Sequence, residues 1–376
     1  SVFTKQLEKI NPDVAIDQID KELLDIQEEL NFDDLGRAFY KRLNGEGEGT
    51  LNLIDWNNFE KNEFHVTTEL TCKNGEDEFR PDITIFINGL PLSFIEVKKP
   101  NNAEGIKAER DRINTRFKND KFRRFINITQ LIVFSNNMEY DDGDLNKLQG
   151  AYYSTTSKND AKFNSFREQK KSEYIDVLKE IDEEVEDFIL YDNNCKIIKN
   201  SPEFTTNKDT DSPTNRILSS LLCKQRIKEL LRYAICYVEE ADKKTGQTNL
   251  QKHIMRYPQF FATKAIGAKL DEDIKKGVIW HTQGSGKTAL AFYNVRYLKD
   301  YFAKKNIIPK FYFVVDRIDL ATQAKNEFSK RGLEVNGINS KAELIDDFRN
   351  NTTSAGITVL NIHKFREDTL AVDDSG

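Results

Sequence analysis

Residues 277–288 read GVIWHTQGSGKT, and no other stretch restricts the fold of this chain as strongly. An apolar run (Val278, Ile279, Trp280) stops at a loop holding Gly284, Ser285 and Gly286. Lys287 and Thr288 follow, and then the helical pattern ALAFYNVRYL. Strand, glycine loop, Lys-Thr and helix together make a P-loop. Small residues let backbone N–H groups close round phosphate oxygens, the lysine reaches the outer phosphates, and the threonine hydroxyl takes Mg²⁺. The helix that starts there adds the positive end of its dipole. Where the common pattern has its first glycine, this chain has His281. A solvated turn carrying GSGKT by coincidence is the competing account, and the flanking strand and helix patterns weigh against it. The expectation is an ATP site at Gly284, Ser285, Gly286, Lys287 and Thr288, with Thr288 also on Mg²⁺.

A P-loop followed by alternating strands and helices implies a doubly wound parallel sheet with ligand loops at the strand ends. FYFVVDRIDLATQ supplies a strand ending in Asp316 and Arg317, with a helix beyond. SAGITVLNIHKF supplies another strand, ending near His363. Asp316 and Arg317 could equally cap the next helix. Gln259 follows Pro258 ahead of the P-loop, where helicase-like motors place a glutamine that reads adenine; a plain helix N-terminus explains it as well.

A second chemistry-bearing stretch lies far upstream, RPDITIFINGLPLSFIEVKKP. Two β-branched and aromatic runs flank a turn at Asn88-Gly89-Leu90-Pro91, which predicts a hairpin. Glu96 and Lys98 are two apart, so their side chains leave one face of the strand. An antiparallel partner brings Asp82 beside them, while Lys99 points away. Converging carboxylates need a counter-charge. Mg²⁺ supplies one, typically held by one or two carboxylates, waters and a phosphate. A lysine beside that cation can orient a water for attack on phosphorus. The bland alternative is a salt-bridged strand end.

From Lys98 to Arg124 there are ten Lys or Arg against four Asp or Glu, with Phe117, Phe122 and Phe125 interleaved. The expectation is a helix beginning near Ala103 and running into KNDKFRRF. Its stripe (Lys107, Arg110, Arg112, Arg116, Lys121, Arg123, Arg124) would follow DNA phosphates in a salt-dependent way. A solvated helix face is the alternative. QLIVFS, residues 130–135, reads as a buried strand of the same sheet.

Elsewhere the pattern is helical. Ile16, Ile19, Leu23, Ile26 and Leu30 make one stripe, a short helix spans 33–43, and Ile175, Leu178, Ile181, Val185 and Phe188 make another stripe. FHVTTELTC leads to a turn at Lys73-Asn74-Gly75, read as a first hairpin. The stretch 139–144 is read as loop. Polar composition over 193–213 marks a boundary, helices are expected around 217–238, and 241–248 is read as loop. The domains expected are 1–195, a connector 196–250, and 251–376.

Composition narrows the partners. The net charge of −6 removes any argument from bulk basicity, so nucleic acid would have to meet local patches. The four cysteines make no CxxC pair, which fits reduced thiols in a cytoplasmic protein. No apolar run approaches the roughly 20 residues of a membrane span, and the N-terminus has no signal-peptide pattern.

Taken together, RPDITIFINGLPLSFIEVKKP, WHTQGSGKT, FYFVVDRIDLATQ and NIHKF resemble, in order and spacing, the restriction (R) subunit of type I restriction-modification enzymes. The opening KQLEKIN also looks like a segment of that family. The resemblance implies an α/β chain: a PD-(D/E)xK nuclease domain with a mixed sheet, a helical connector, and a partial RecA-like motor domain of superfamily 2. It implies Mg²⁺ and ATP as cofactors and double-stranded DNA as substrate. The implied partners are the modification (methyltransferase) and specificity subunits. By position, Asp82, Glu96 and Lys98 match the nuclease triad, and Gly284, Gly286, Lys287 and Thr288 the first ATPase motif. Gln259 matches the proline-flanked glutamine, and Asp316, Arg317 and Gln323 a motif that touches the DNA backbone. Three departures stand out. Many members carry a QxxxY element after the nuclease lysine, and here Glu109 and Arg110 lie near that place. The family's N-terminal acidic helix is expected before Ser1. No DEAD- or DEAH-like motif occurs by Gly376, since Asp373 and Asp374 do not make one, so the chain reads as part of a larger subunit, able to hold nucleotide weakly but not to translocate. The alternatives are a non-catalytic DNA- or subunit-docking module with a degenerate nuclease fold, another nuclease-helicase defence protein, or a P-loop phosphotransferase. The VVDR strand and the long nuclease-like half argue against the last.

Overall fold

The computed structural model describes residues 1–47, 49–100, 106–140, 148–158, 160–167, 174, 178, 181–241, 246, 248–338, 340–349 and 356–362. The chain divides into two compact units, Ser1–Ile235 and Cys236–Gly376. That division falls inside the stretch read from sequence as the connector.

The first unit opens with helices α1 (Val2–Ile10), α2 (Ile16–Glu29) and α3 (Arg37–Leu43). Of the predicted α2 stripe, Ile19, Ile26 and Leu30 are buried while Ile16 is exposed. Strands β1 (Phe64–Thr68), β2 (Cys72–Asn74), β3 (Asp77–Phe79), β4 (Ile83–Ile87) and β5 (Leu90–Val97) follow. Next come α4 (Lys107–Phe117), α5 (Arg123–Ile128), β6 (Leu131–Ser135), β7 (Ala151–Ser154) and β8 (Asn164–Ser165). Four helices complete the unit: α6 (Glu183–Asp192), α7 (Pro202–Asn207), α8 (Pro213–Leu222) and α9 (Lys224–Glu229).

Six strands form one mixed sheet in the order β1-β4-β5-β6-β7-β8, with β5 and β6 parallel and the other pairs antiparallel. The β4–β5 hairpin turns at Asn88 and Gly89, both with positive φ. The predicted strand β6 is buried along its whole length, as a central strand covered on both faces should be. Leu7, Ile19, Ile26, Phe39 and Leu43 of the N-terminal helices pack with Ile87, Leu92, Ile227 and Leu231 in one core.

Four expectations for this unit are corrected. FHVTTELTC does not fold back at Lys73-Asn74-Gly75. Instead β1 joins the main sheet as a partner of β4, and the Asn74-Gly75 turn closes a separate small hairpin of β2 and β3. The helix expected to run through KNDKFRRF breaks after α4, because Asn119 turns extended and its side chain accepts from the Lys121 N–H. The helix expected to Val238 stops at Ala234, and the β-branched and aromatic run Ile235-Cys236-Tyr237-Val238 becomes strand instead. The stripe through Phe188 keeps helix only from Glu183, and Val185 and Phe188 are exposed; Ile175 lies outside the described residues, as do 101–105 and 141–147, which hold the predicted helix start and most of the predicted acidic loop.

In the second unit β9 (Ile235–Ala241) and β10 (Thr248–Ile254) pair with each other. Helices α10 (Tyr257–Asp271) and α11 (Lys287–Ala303) approach closely at Gly267, where a Cβ would sit 2.2 Å from the Tyr297 hydroxyl. Then come β11 (Tyr312–Val315), α12 (Ile318–Lys330), β12 (Val335–Gly337), α13 (Lys341–Arg349) and β13 (Ile357–Asn361). The three strands make a parallel sheet with the fully buried β13 in the centre. His363 and the end of NIHKF, together with Asp373 and Asp374, lie outside the described residues.

The strand predicted ahead of the P-loop is not formed. Residues 274–282 carry no regular structure, and Val278 and Trp280 are 90% and 91% exposed. A strand needs a ladder for its amides. Among the described residues β11 and β12 pair only with β13, so the apolar run has no neighbour to join. No helix among the described residues is long and apolar enough to cross a membrane.

Candidate active site and nucleotide loop

The hairpin register sets Ile83 opposite Ile95, so the residues just beyond, Asp82 and Glu96, face each other at the open end of β4 and β5. Asp82 Oδ2 accepts from the Val97 N–H at 2.7 Å, which ties the end of one strand to the next. The Lys98 N–H donates to the Ser135 carbonyl of β6 at 2.8 Å, which fixes the backbone under the lysine. Its side chain turns back over the site. Lys98 Nζ lies 3.7 Å from Asp82 Oδ2 and 3.8 Å from Glu96 Oε2. The structure thus brings together the three residues that the sequence pattern placed together.

Two further residues, both of α4, join the cluster: Glu109, noted from the sequence only as lying near the place of the QxxxY element, and Arg116, read there as part of the DNA stripe. Glu109 Oε2 is 3.4 Å from Lys98 Nζ and accepts from Arg112 Nη1 at 3.0 Å. Arg116 Nη1 donates to Glu96 Oε1 at 3.2 Å, stands 3.8 Å from Glu109 Oε1, and lies over the Phe79 ring. The spacing Glu109, Arg112, Arg116 puts all three on one helix face, a signal visible in the sequence once α4 is known to pass this hairpin.

The electrostatics follow from depth. The Glu96 and Glu109 side chains are 2% and 1% exposed, against 40% for Asp82 and 25% for Lys98. Burial pushes the Glu96 carboxyl up to about 7; Glu109 and then Asp82 push the same way, while Arg116 and Lys98 oppose them. A buried carboxyl held near neutrality among like charges wants another cation. One oxygen of Glu109 is buried without a hydrogen bond. Among the described residues no three Asp, Glu, His or Cys side chains form a ready metal cage. Hard oxygen donors from two carboxylates, completed by water and phosphate oxygens, are nevertheless the set that suits Mg²⁺.

The predicted basic stripe is not a continuous free surface. Arg116 is 16% exposed and bound to two carboxylates. Arg112 pairs with Glu109, Arg110 with Asp111, Lys121 with Asp77, and Arg123 with Asp120. Arg124 donates to the Asn31 side chain. Lys107, at the first turn of α4, is half-buried. The interleaved phenylalanines face inward: Phe122 and Phe125 pack edge-on against Phe79, and Phe125 reaches Phe94. Their spacing reflects core packing, not a stacking platform for bases.

In the second unit the glycine loop turns on Gly284 and Gly286, with φ of 75° and 82°. Lys287 opens α11 and folds back, donating to the carbonyls of His281 and Thr282 at 3.2 and 3.3 Å. Thr288 is half-buried in the first turn. Gln259 is buried and works from both ends of its amide. Its oxygen accepts from the Arg256 N–H at 3.0 Å, and its nitrogen donates to the Gly286 carbonyl at 3.1 Å. Arg256, also missed in the sequence, donates to the Gly284 carbonyl at 3.1 Å. The N-terminus of α10 therefore grips the loop by its carbonyls. The Ser285 hydroxyl is buried without a hydrogen bond. Asp316, Arg317 and Gln323 are exposed around the β11–α12 turn, and Arg317 sits at the N-cap of α12 without a side-chain capping bond.

Comparison with known proteins assigns the two units separately. Residues 1–150 match the family described as type I restriction enzyme R protein N terminus, and residues 258–375 match the family described as SWI2/SNF2 ATPase. The MjaVIIP endonuclease subunit assigned to a type I restriction enzyme of Methanocaldococcus jannaschii is 30% identical over 84% of this chain and 26% of its own length. The MjaIXP endonuclease subunit assigned in the same organism is 28% identical over 96% of this chain and 33% of its own. The type I restriction enzyme SauMSSORF170P endonuclease subunit of Staphylococcus aureus strain MSSA476 is 25% identical over 77% of this chain and 24% of its own. The chain thus spans about a quarter to a third of the length of these relatives.

Proposed function

The chain belongs to the family of type I restriction enzyme R subunits, and we propose that its first unit is a PD-(D/E)xK-type nuclease that hydrolyses double-stranded DNA. The observation that carries this is the convergence of Asp82, Glu96 and Lys98 at the open end of one hairpin. Asp82 and Glu96 would hold Mg²⁺, which when bound supplies positive charge for the phosphate oxygens of the scissile bond. Lys98 is the only cation among the three. Its ammonium, carried on a backbone that the Ser135 contact fixes, orients a water toward phosphorus and steadies the charge that grows there. The burial of Glu96 keeps bulk water from one side of the site.

The second unit is proposed to be the first lobe of a RecA-like, ATP-driven DNA motor. Gly284, Ser285, Gly286, Lys287 and Thr288 would cradle the phosphates, and Gln259 would set the loop to which the nucleotide binds. Arg317 would face the DNA backbone. In the complete enzyme the substrate is double-stranded DNA, and the partners are modification and specificity subunits.

Asp82→Asn in the complete restriction complex separates the two activities. The expected result is loss of cleavage at every Mg²⁺ concentration with ATP-dependent movement retained. Cleavage at the normal rate would remove the proposed site from the reaction.

A further inference from the structure

Lys98 leaves the end of the β4–β5 hairpin, and a helix outside that hairpin, α4, reaches across to it. Glu109 contributes a carboxylate that is 1% exposed, and its Oε2 stands 3.4 Å from Lys98 Nζ, nearer than either Asp82 or Glu96. A carboxylate that deep is costly unless it is paired. Two arginines of the same helix attend it. Arg112 donates to Oε2, and Arg116 lies between Glu109 and Glu96. Arg116 is itself held in place by the Phe79 ring 4.8 Å away. The other oxygen, Glu109 Oε1, has no hydrogen bond although it is buried and faces the same cluster.

We propose that Glu109 and Arg116 are positioning residues of the nuclease site, Glu109 aiming the Lys98 ammonium and Arg116 fixing the Glu96 carboxylate. The inference rests on the nuclease reading given above. Two ion pairs on one face of α4 then orient both strand-borne groups. Glu109 anchors the lysine by charge, since removing the charge leaves the ammonium only Asp82 and Glu96, both farther away and both wanted elsewhere. Arg116 anchors Glu96 by a directed hydrogen bond, leaving Glu96 Oε2 on the Lys98 side. The arrangement makes the geometry of the site depend on how α4 is seated, and Ile113 and Phe117 of that helix are buried.

The test is steady-state cleavage by the complete complex carrying Glu109→Gln, Arg116→Lys or Arg116→Ala, with Ca²⁺ binding to each purified chain followed by calorimetry. Glu109→Gln keeps the shape of the side chain, so the fold is expected to survive; a thermal melt checks this. The expected result is a fall in kcat of about tenfold or more, with KM for DNA unchanged. Arg116→Ala should weaken Ca²⁺ binding, and Arg116→Lys should restore part of it. Wild-type kcat in Glu109→Gln, together with wild-type Ca²⁺ binding in Arg116→Ala, overturns the proposal. If Asp82→Asn also cleaves normally, the failure lies in the nuclease reading. If Asp82→Asn is dead while these variants are normal, the failure lies in the positioning alone.

Discussion

Lys98 and Glu109 stand 3.4 Å apart although one closes a β-hairpin and the other belongs to the helix beyond it. Their pairing places the lysine at the centre of three carboxylates, Asp82, Glu96 and Glu109. The cluster carries more negative charge than its burial favours, and several measurable consequences follow from that imbalance.

The metal-free chain should lose stability as pH rises through the window from the ordinary glutamate value to about 7. Glu96 is pushed up to about 7, above the usual glutamate range, by burial and by Glu109 and Asp82. Between those values the folded state therefore holds a proton that the unfolded state has released. Folding is favoured at the acid end of the window, and that advantage is gone above it. At about 1.4 kcal/mol per unit the full effect is roughly 3 kcal/mol. Denaturation of wild type and Glu96→Gln between pH 4.5 and 7.5 checks this: the slope should flatten in the variant.

Gly286→Ala should weaken nucleotide binding. The residue has φ of 82°, and an added Cβ would lie 2.6 Å from Gln259 Nε2, the atom that holds the loop. The left-handed conformation alone costs an alanine about 1–2 kcal/mol, which corresponds to roughly tenfold in affinity if the loop must keep that shape to bind. Titration of a fluorescent ATP analogue into both proteins measures it.

Lys287→Ala in the full-length subunit should abolish ATP-dependent movement. Lys287 now donates to the carbonyls of His281 and Thr282, neutral acceptors that a phosphate would displace. An ATPase assay decides the matter, and hydrolysis persisting at the wild-type rate would remove this loop from the reaction.

Trp280 should report an open environment. It is 91% exposed and one of only two tryptophans, so Trp56→Phe leaves it alone in the chain. Its emission should be that of a solvated indole and readily quenched by acrylamide. Blue-shifted, protected emission would mean that residues 278–280 pack as the strand their composition suggests.

The β4–β5 hairpin was legible in the sequence because its information is local. Turn residues at Asn88-Gly89 predict the hairpin, and strand periodicity of two puts Glu96 and Lys98 on one face; the one-residue register shift between Ile85 and Phe86, which sets Asp82 opposite Glu96, had no sequence signal. Arg112 and Arg116 looked like part of a DNA-binding stripe because charge counts along a chain do not say which cations already have buried anions, and Glu109 stood out only as lying near the place of the QxxxY element. Phe122 and Phe125 looked like an aromatic interleave for the same reason. The strand before Gly284 was misread because the apolar run Val278-Ile279-Trp280 has strand propensity but no ladder partner among the described residues, and pairing is a property of the neighbours. Gln259 reads in the sequence as an adenine-reading glutamine or a plain helix N-terminus; it caps α10 and also holds the Gly286 carbonyl, whereas Arg256 carried no periodic or motif signal. Its role is set by one hydrogen bond to a carbonyl 28 residues away in sequence.

The central claim is that the Asp82–Glu96–Lys98 cluster cuts DNA. It is tested most directly by Lys98→Ala in the complete restriction complex, scoring cleavage and ATP hydrolysis in the same reaction. The account predicts a loss of cleavage on the order of 10²-fold or more, with ATP hydrolysis unchanged. Cleavage at the wild-type rate would contradict it.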